Sequence, residues 1–171
     1  MCGLNLHLRE RGVSNRVRLL GLDEDVAVFP LYNLMGQLVG YQNYRPHATK
    51  KKTNDPREAR YYTHVSQKTV WGLEYLDPKQ HVLFVVEGVF DAVKLVELGY
   101  NAVATLSNDP KAVAYMLWSL PYKKVVLCDN DPAGMKLAKY GDTYVVCPKG
   151  KDLGELTFEE TKLFVESILC Q

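Results

Sequence analysis

Residues 82–92 read Val82-Leu83-Phe84-Val85-Val86-Glu87-Gly88-Val89-Phe90-Asp91-Ala92, and residues 124–134 read Lys124-Val125-Val126-Leu127-Cys128-Asp129-Asn130-Asp131-Pro132-Ala133-Gly134. Each stretch contains a short, unbroken apolar run, 82–86 and 125–128, the pattern of a strand buried on both faces in a parallel sheet. Each run ends at a carboxylate followed by turn-forming residues, Glu87-Gly88 in one and Asp129-Asn130-Asp131-Pro132 in the other. A helical pattern then follows each turn, over residues 89–98 with Gly99 as its stop and over residues 132–140.

Working outward, the same alternation continues. Residues 102–106 read as a strand, and Asp109-Pro110 supplies an N-cap and a first-turn proline for a helix over 111–119. Residues 143–147 read as a further strand. A last helix over 159–169 is announced by Thr157 and Glu160, spaced as a capping box. Strands alternating with helices at this spacing predict an α/β fold, a mostly parallel sheet flanked by helices on both faces.

The residues before 80 differ in composition, being basic and rich in tyrosine. Arg9, Arg11, Arg16 and Arg18 fall in a predicted short helix and turn. Residues 26–31 and 38–44 read as paired strands joined by a hairpin turn at 33–37 around Gly36. From residue 45 to 68, Arg45, Lys50, Lys51, Lys52, Arg57, Arg60 and Lys68 are opposed only by Asp55 and Glu58. The lysine run with Asn54-Asp55-Pro56 reads as a mobile loop. The expected organisation is a small basic lobe with a β-hairpin over 1–80, then the sheet domain with its C-terminal helix over 81–171.

With 171 residues, 47% hydrophobic and 24% charged, the chain can bury a core. Its net charge of +1 makes any case for a polyanionic partner a local one. The four cysteines, Cys2, Cys128, Cys147 and Cys170, form no CxxC pair and give no zinc-ribbon spacing. Cys128 and Cys147 end apolar runs and read as buried thiols. The longest apolar run, 82–86, is far too short to span a bilayer, and the N-terminus lacks a signal-peptide pattern. Together these features point to a cytoplasmic protein with no membrane partner.

Ligands of open α/β sheets gather at the C-terminal ends of the strands. Glu87, Asp129 and Asp131 stand at two such ends, and they converge if those strands are neighbours. Clustered carboxylates repel one another unless a cation lies among them. An all-oxygen set suits Mg²⁺ or Mn²⁺, and two such ions can hold the attacking and leaving oxygens of a phosphoryl transfer. Two plainer readings compete. Asp129-Asn130-Asp131-Pro132 is also a helix N-cap sequence. Asp129, Asp131 and Gly134 also match the opening of an EF-hand loop, although Ala133 and Tyr140 replace its oxygen ligands and no helix precedes it.

The motifs resemble a known family. Glu87-Gly88-Val89-Phe90-Asp91 is similar to the EGxxD motif of Toprim domains, and Asp129-Asn130-Asp131-Pro132-Ala133-Gly134, followed by Ala138, to their DxDxAG motif. The flanks resemble the catalytic core of bacterial and phage DNA primases. The matching pieces are Phe29-Pro30-Leu31 running to Gly40-Tyr41, the stretch Lys68-Thr69-Val70-Trp71-Gly72-Leu73, and Gly150-Lys151-Asp152-Leu153.

The resemblance implies a Toprim (Rossmann-like) fold and a minimal primase-like nucleotidyltransferase making RNA primers on single-stranded DNA from nucleoside triphosphates. It implies Mg²⁺ or Mn²⁺ held by Glu87, Asp129 and Asp131, with Asp91 either holding a metal-bound water or stabilising the helix N-terminus, and Asp152 completing the acidic rim. Glu87 is also placed for general acid/base work. Arg45, Arg60, Lys68 and Lys151 are implied to contact template or nucleotide phosphate, with Tyr41, Tyr44, Tyr61 and Tyr62 available for base stacking or strand packing. A replicative helicase or a separate zinc-binding factor is the implied protein partner, because the sequence has neither a zinc-ribbon pattern nor a Walker A motif. Its size suggests a phage or mobile-element origin. The alternatives are a metal-dependent Toprim nuclease and a non-catalytic, primase-like nucleic-acid-binding accessory protein.

Overall fold

Two four-stranded sheets organise the chain. The computed structural model describes residues 3–49, 53–148 and 152–170. The first sheet is an antiparallel meander of β1 (Gly21–Leu22), β2 (Ala27–Tyr32), β3 (Leu38–Tyr44) and β4 (Tyr61–Val65), in that order. A helix, α1 (Gly3–Glu10), precedes it and buries Leu4 and Leu8. The second sheet holds β5 (Val82–Val86), β6 (Ala102–Ala104), β7 (Lys123–Cys128) and β8 (Thr143–Val146) in the order β6-β5-β7-β8, all parallel. The helices α2 (Val89–Glu97), α3 (Ala114–Ser119) and α4 (Phe158–Leu169) flank it.

Side chains alternate across a strand, and β5 divides its residues accordingly. Phe84 and Val86 join a core with Phe90 and Val93 of α2, Val165 of α4, and Leu8, Phe29 and Tyr44 from the N-terminal segment. Leu83 and Val85 face the other way and pack with Leu117 of α3, Leu137 and Tyr140. The larger core therefore joins both sheets. Phe90 meets Phe29 and Tyr44 edge to face, with ring centroids 5.6 and 4.7 Å apart. Such pairs stabilise by about 0.5–1.5 kcal/mol beyond the area that they bury.

A second seam is made of main chain. Trp71 N–H donates to the Ala104 carbonyl at 2.9 Å, and Ala104 N–H donates to the Trp71 carbonyl at 3.0 Å. This antiparallel bridge occupies the free side of β6, which would otherwise be an open edge.

The parallel sheet, its flanking helices, the hairpin and the capping box of α4 agree with the sequence reading; Thr157 Oγ1 accepts from Glu160 N–H, and the Glu160 carboxylate accepts from Thr157 N–H. Four details differ. Residues 134–140 form a 3₁₀ helix, Gly134–Tyr140, in place of an α-helix, because Asp131 closes a tight turn on Gly134. The segment at 111–119 starts with a 3₁₀ turn, Lys111–Val113, before α3, and Asp109 does not cap it. Asp109 turns away to accept from the Tyr140 hydroxyl and to pair with Lys139 at 2.8 Å. The strand read over 102–106 stops at Ala104, and Leu106 has a φ of +60° that no strand accommodates. Finally, the two-residue β1 has no counterpart in the sequence reading, nor has β4. Its residues are mostly exposed, so they lack an apolar alternation, and pairing with β3 makes them a strand. The Lys50–Lys52 run falls outside the described residues.

Candidate active site

Three carboxylates line one cleft at the C-terminal edge of the parallel sheet. The neighbour condition is satisfied, since β5 and β7 pair directly from Val82↔Lys123 to Val85↔Val126. Glu87 leaves the end of β5 and Asp129 the end of β7. With Asp91, one turn into α2, they line a cleft of about 260 Å³, along with Gln42, Tyr61, Gly88 and Leu106. Tyr61 and Gln42 bring the first sheet over the edge of the second, so the cleft lies between the two.

The spacing of the first motif has a steric cause. A Cβ at Gly88 would stand 2.6 Å from Asp91 Oδ2, so the Asp91 carboxylate folds back over a position that only glycine leaves open. Beside it, a Cβ at Gly154 would lie 3.1 Å from both Asp91 Oδ1 and Asp152 Oδ1, and 3.7 Å from Arg11 Nη2. Two glycines thus allow Asp91, Asp152 and Arg11 to converge from distant parts of the chain.

The second motif is a tight turn. Asp131 N–H donates to the Asp129 carbonyl at 2.8 Å, and Gly134 N–H donates to Asp131 Oδ1 at 2.6 Å. A turn-capping role for Asp131 is therefore present in the structure. Asp131 is exposed at the rim, with its charge felt by Glu87 and Asp129.

The electrostatics describe one cluster. Burial pushes the Glu87 carboxyl above its ordinary range, and the charges of Asp129 and Asp131 push it further. Asp129 is raised by burial, then by Asp152, Asp131 and Glu155. Asp91 rises to about 7, chiefly from burial and then from Asp129 and Asp152, against the opposing pull of Lys94 and Arg11. The two thiols behind the cluster are buried and inert: burial lifts Cys128 to about 11 and Cys147 to about 12.

Mutual repulsion and an all-oxygen donor set fit a hard divalent cation that keeps several of its own waters. Among the described residues, however, no three such side chains are drawn together into a ready cage. The Gln42 side-chain oxygen is also buried in this cleft without a protein partner, while its nitrogen donates to Thr63 Oγ1 at 2.9 Å.

The basic residues are less united. Arg60 lines an adjoining cleft with Arg11, Asp152 and Glu155, and its Nε donates to the Ala48 carbonyl at 3.1 Å. Lys68 lines a separate cleft of about 410 Å³ that shares Leu106 with the acidic one. Arg45 borders none of these three clefts, and its Nη1 is buried. Lys151 falls outside the described residues. Of the four tyrosines, Tyr44 is core and hydrogen-bonds His7 at 2.8 Å, while Tyr61 is exposed at the acidic cleft.

Sequence reasoning missed Arg11, Lys94, Gln42 and Glu155 as contributors. Arg11 lies 4.1 Å over the Phe90 ring, facing Asp91. The buried Lys94 donates to the carbonyls of Leu153, Gly154 and Leu156, fixing the turn that carries Asp152 and Glu155. Gln42 alone left a signal, as a polar residue in a strand flanked by tyrosines.

A family model described as Toprim-like matches residues 84–156, the stretch that contains both acidic motifs. The segment is Toprim-like. The whole fold is that of primase catalytic cores. A DnaG catalytic core superposes with a TM-score of 0.72 at 19% identity, over 98% of this chain and 72% of that one. A DnaG primase catalytic domain bound to single-stranded DNA gives 0.66 at 18%, over 96% and 72%. The primase fragment of the bacteriophage T7 primase-helicase protein gives 0.67 at 16%, over 94% and 72%. No curated protein matches by sequence. The Toprim-like segment thus sits in a primase-type setting, with β2–β4 folded over its acidic edge.

Proposed function

We propose that this chain is a minimal primase-like nucleotidyltransferase that joins nucleoside triphosphates into an RNA primer on a single-stranded DNA template. The observation that carries the reading is the cleft where Glu87, Asp91 and Asp129 meet beneath Tyr61 and Gln42. Such a cleft between a Toprim-like edge and a covering sheet suits a phosphoryl transfer that needs positioning and charge compensation. In this reading residues 1–80 act as the lobe that holds template and nucleotide, and residues 81–171 as the domain that supplies the carboxylates.

Mg²⁺ or Mn²⁺, held by Glu87, Asp129 and Asp131 with Asp91 beside them, would neutralise charge developing on the transferred phosphoryl group. Glu87, half-buried and raised above the usual carboxylate range, is suited to take a proton from the attacking hydroxyl. Arg60, Lys68 and Lys151, and more remotely Arg45, would supply salt-sensitive phosphate contacts. A helicase is a candidate partner by analogy with the T7 primase-helicase. Among the described residues no helix is long and apolar enough to cross a membrane.

The test is primer synthesis. The protein, single-stranded templates, labelled ribonucleotides and Mg²⁺ or Mn²⁺ should give short products that vanish in Asp129→Ala and Glu87→Ala. Absence of product on every template, with a helicase or zinc-binding factor supplied, rejects the reading. Metal-dependent cutting of nucleic acid without triphosphates would replace it with a nuclease.

A further inference from the structure

The chain has two tryptophans, and they lie in opposite environments. Trp71 is fully buried in the core, whereas Trp118 is 51% exposed and its neighbour Tyr115 is 83% exposed. The two exposed rings stand edge to face, with centroids 5.5 Å apart and planes at 83°. α3 buries Ala114 and Leu117 against the sheet, so it is anchored without these two side chains. Leaving two large aromatic rings in water gains nothing for the fold.

Their position relates them to the acidic cleft. Tyr115 and Trp118, three apart on α3, share a helical face, and Lys111 lies in the 3₁₀ turn that leads into that helix. Lys111 lines the 410 Å³ cleft together with Lys68, Asp109, Thr63, Thr105 and Ser107. Leu106 joins that cleft to the one holding Glu87 and Asp129. The surrounding charge is positive: Lys111 and Lys139 share one carboxylate, Asp109, at 3.4 and 2.8 Å, and the Lys111 side chain is still 78% exposed. A groove that carries Lys68 and Lys111, with bare aromatic rings on the helix that follows it, matches a chain that alternates phosphates and flat bases. A protein interface would call for a larger apolar centre than two rings.

We propose that α3 carries single-stranded DNA leaving the cleft, with Lys68 and Lys111 on phosphates and Tyr115 and Trp118 as stacking platforms. This rests on the template-directed reading above. Trp118 is the exposed tryptophan, so oligothymidylate added in the presence of chelator should quench its emission. The Tyr115→Ala/Trp118→Ala variant, with an unchanged melting temperature, should bind that oligonucleotide, followed by the anisotropy of a label on it, about tenfold more weakly or worse. Tyr115→Phe/Trp118→Phe should restore binding. Lys68→Ala should reduce the dependence of log affinity on log salt by about one unit, whereas the aromatic variant should leave that slope unchanged.

Priming assays on the same proteins separate the two readings. Quenching and aromatic-dependent binding without primer synthesis reject the enzymatic role and uphold the track. Primer synthesis with an unaltered template KM in the double alanine variant overturns the track and upholds the enzyme. Loss of self-association in that variant, with oligonucleotide binding intact, also overturns it.

Discussion

Gly134 lies directly against Asp129: a Cβ on Gly134 would stand 2.6 Å from the Asp129 carbonyl oxygen, 2.8 Å from its Cβ and 2.9 Å from its nitrogen. Two of these three atoms are main chain, so no side-chain rotation relieves the contact. Gly134→Ala should therefore displace the turn that presents Asp129 and Asp131. Overpacking of this kind costs about 1–3 kcal/mol, read as a fall in melting temperature of about 2–4 °C per kcal/mol. Weakened Mn²⁺ binding, followed by electron paramagnetic resonance, should accompany it. Unchanged melting and Mn²⁺ affinity would show that the turn does not depend on this contact.

Divalent metal should stabilise the fold through the acidic cluster. A ligand that binds only the folded state at about a hundred times its Kd stabilises by about 2.7 kcal/mol. Mn²⁺ should raise the melting temperature of the wild-type protein and leave Glu87→Gln and Asp129→Asn almost unmoved. Equal shifts in all three proteins would place the ion elsewhere.

Lys94 holds the acidic rim from behind. Its ammonium, buried within α2, donates to Leu153 O at 2.9 Å, Gly154 O at 3.2 Å and Leu156 O. Lys94→Met keeps the stem and strands three carbonyls, a loss of about 3 kcal/mol. Urea denaturation should show the loss, and faster amide hydrogen exchange should be confined mainly to residues 152–157. A uniform change across the sheet would argue against a local role.

Glu74 provides a pH test away from the cluster. Both its carboxylate oxygens are buried, and burial raises it to about 7, against the opposing pull of the backbone at Glu74 and Gly72 and then of Arg18. Since the folded-state value lies above the ordinary 4.5, the folded protein binds more protons than the unfolded chain between those values. Stability therefore falls as pH rises through that window, by at most about 1.4 kcal/mol per pH unit. Glu74→Gln should flatten the profile and exceed the wild type at pH 8 by about 2–3 kcal/mol. Parallel stability–pH curves for the two proteins would refute the assignment.

Local signals revealed much of this molecule. Unbroken apolar runs at 82–86 and 125–128 predict buried parallel strands because only a strand covered on both faces needs apolar residues throughout, and they form the centres of β5 and β7. The carboxylates at their ends, the hairpin around Gly36 and the Thr157–Glu160 capping box are also short-range patterns, and the structure contains them.

Contacts between distant segments decided the rest. Nothing near Arg11 in the sequence indicates that it will face Asp91 across the Phe90 ring, or near Lys94 that it will bind the 153–156 turn. Asp109 looks like an N-cap until the fold brings Tyr140 and Lys139 to it. β4 becomes a strand only by pairing with β3, and that pairing sets Tyr61 over the acidic cleft. The sequence by itself determined the two central parallel strands, the hairpin and capping turns and the residues that carry charge, since these follow from periodicity and neighbouring backbone geometry. Only the tertiary structure decided which charges meet, because burial and Coulomb interactions depend on distance in space rather than along the chain.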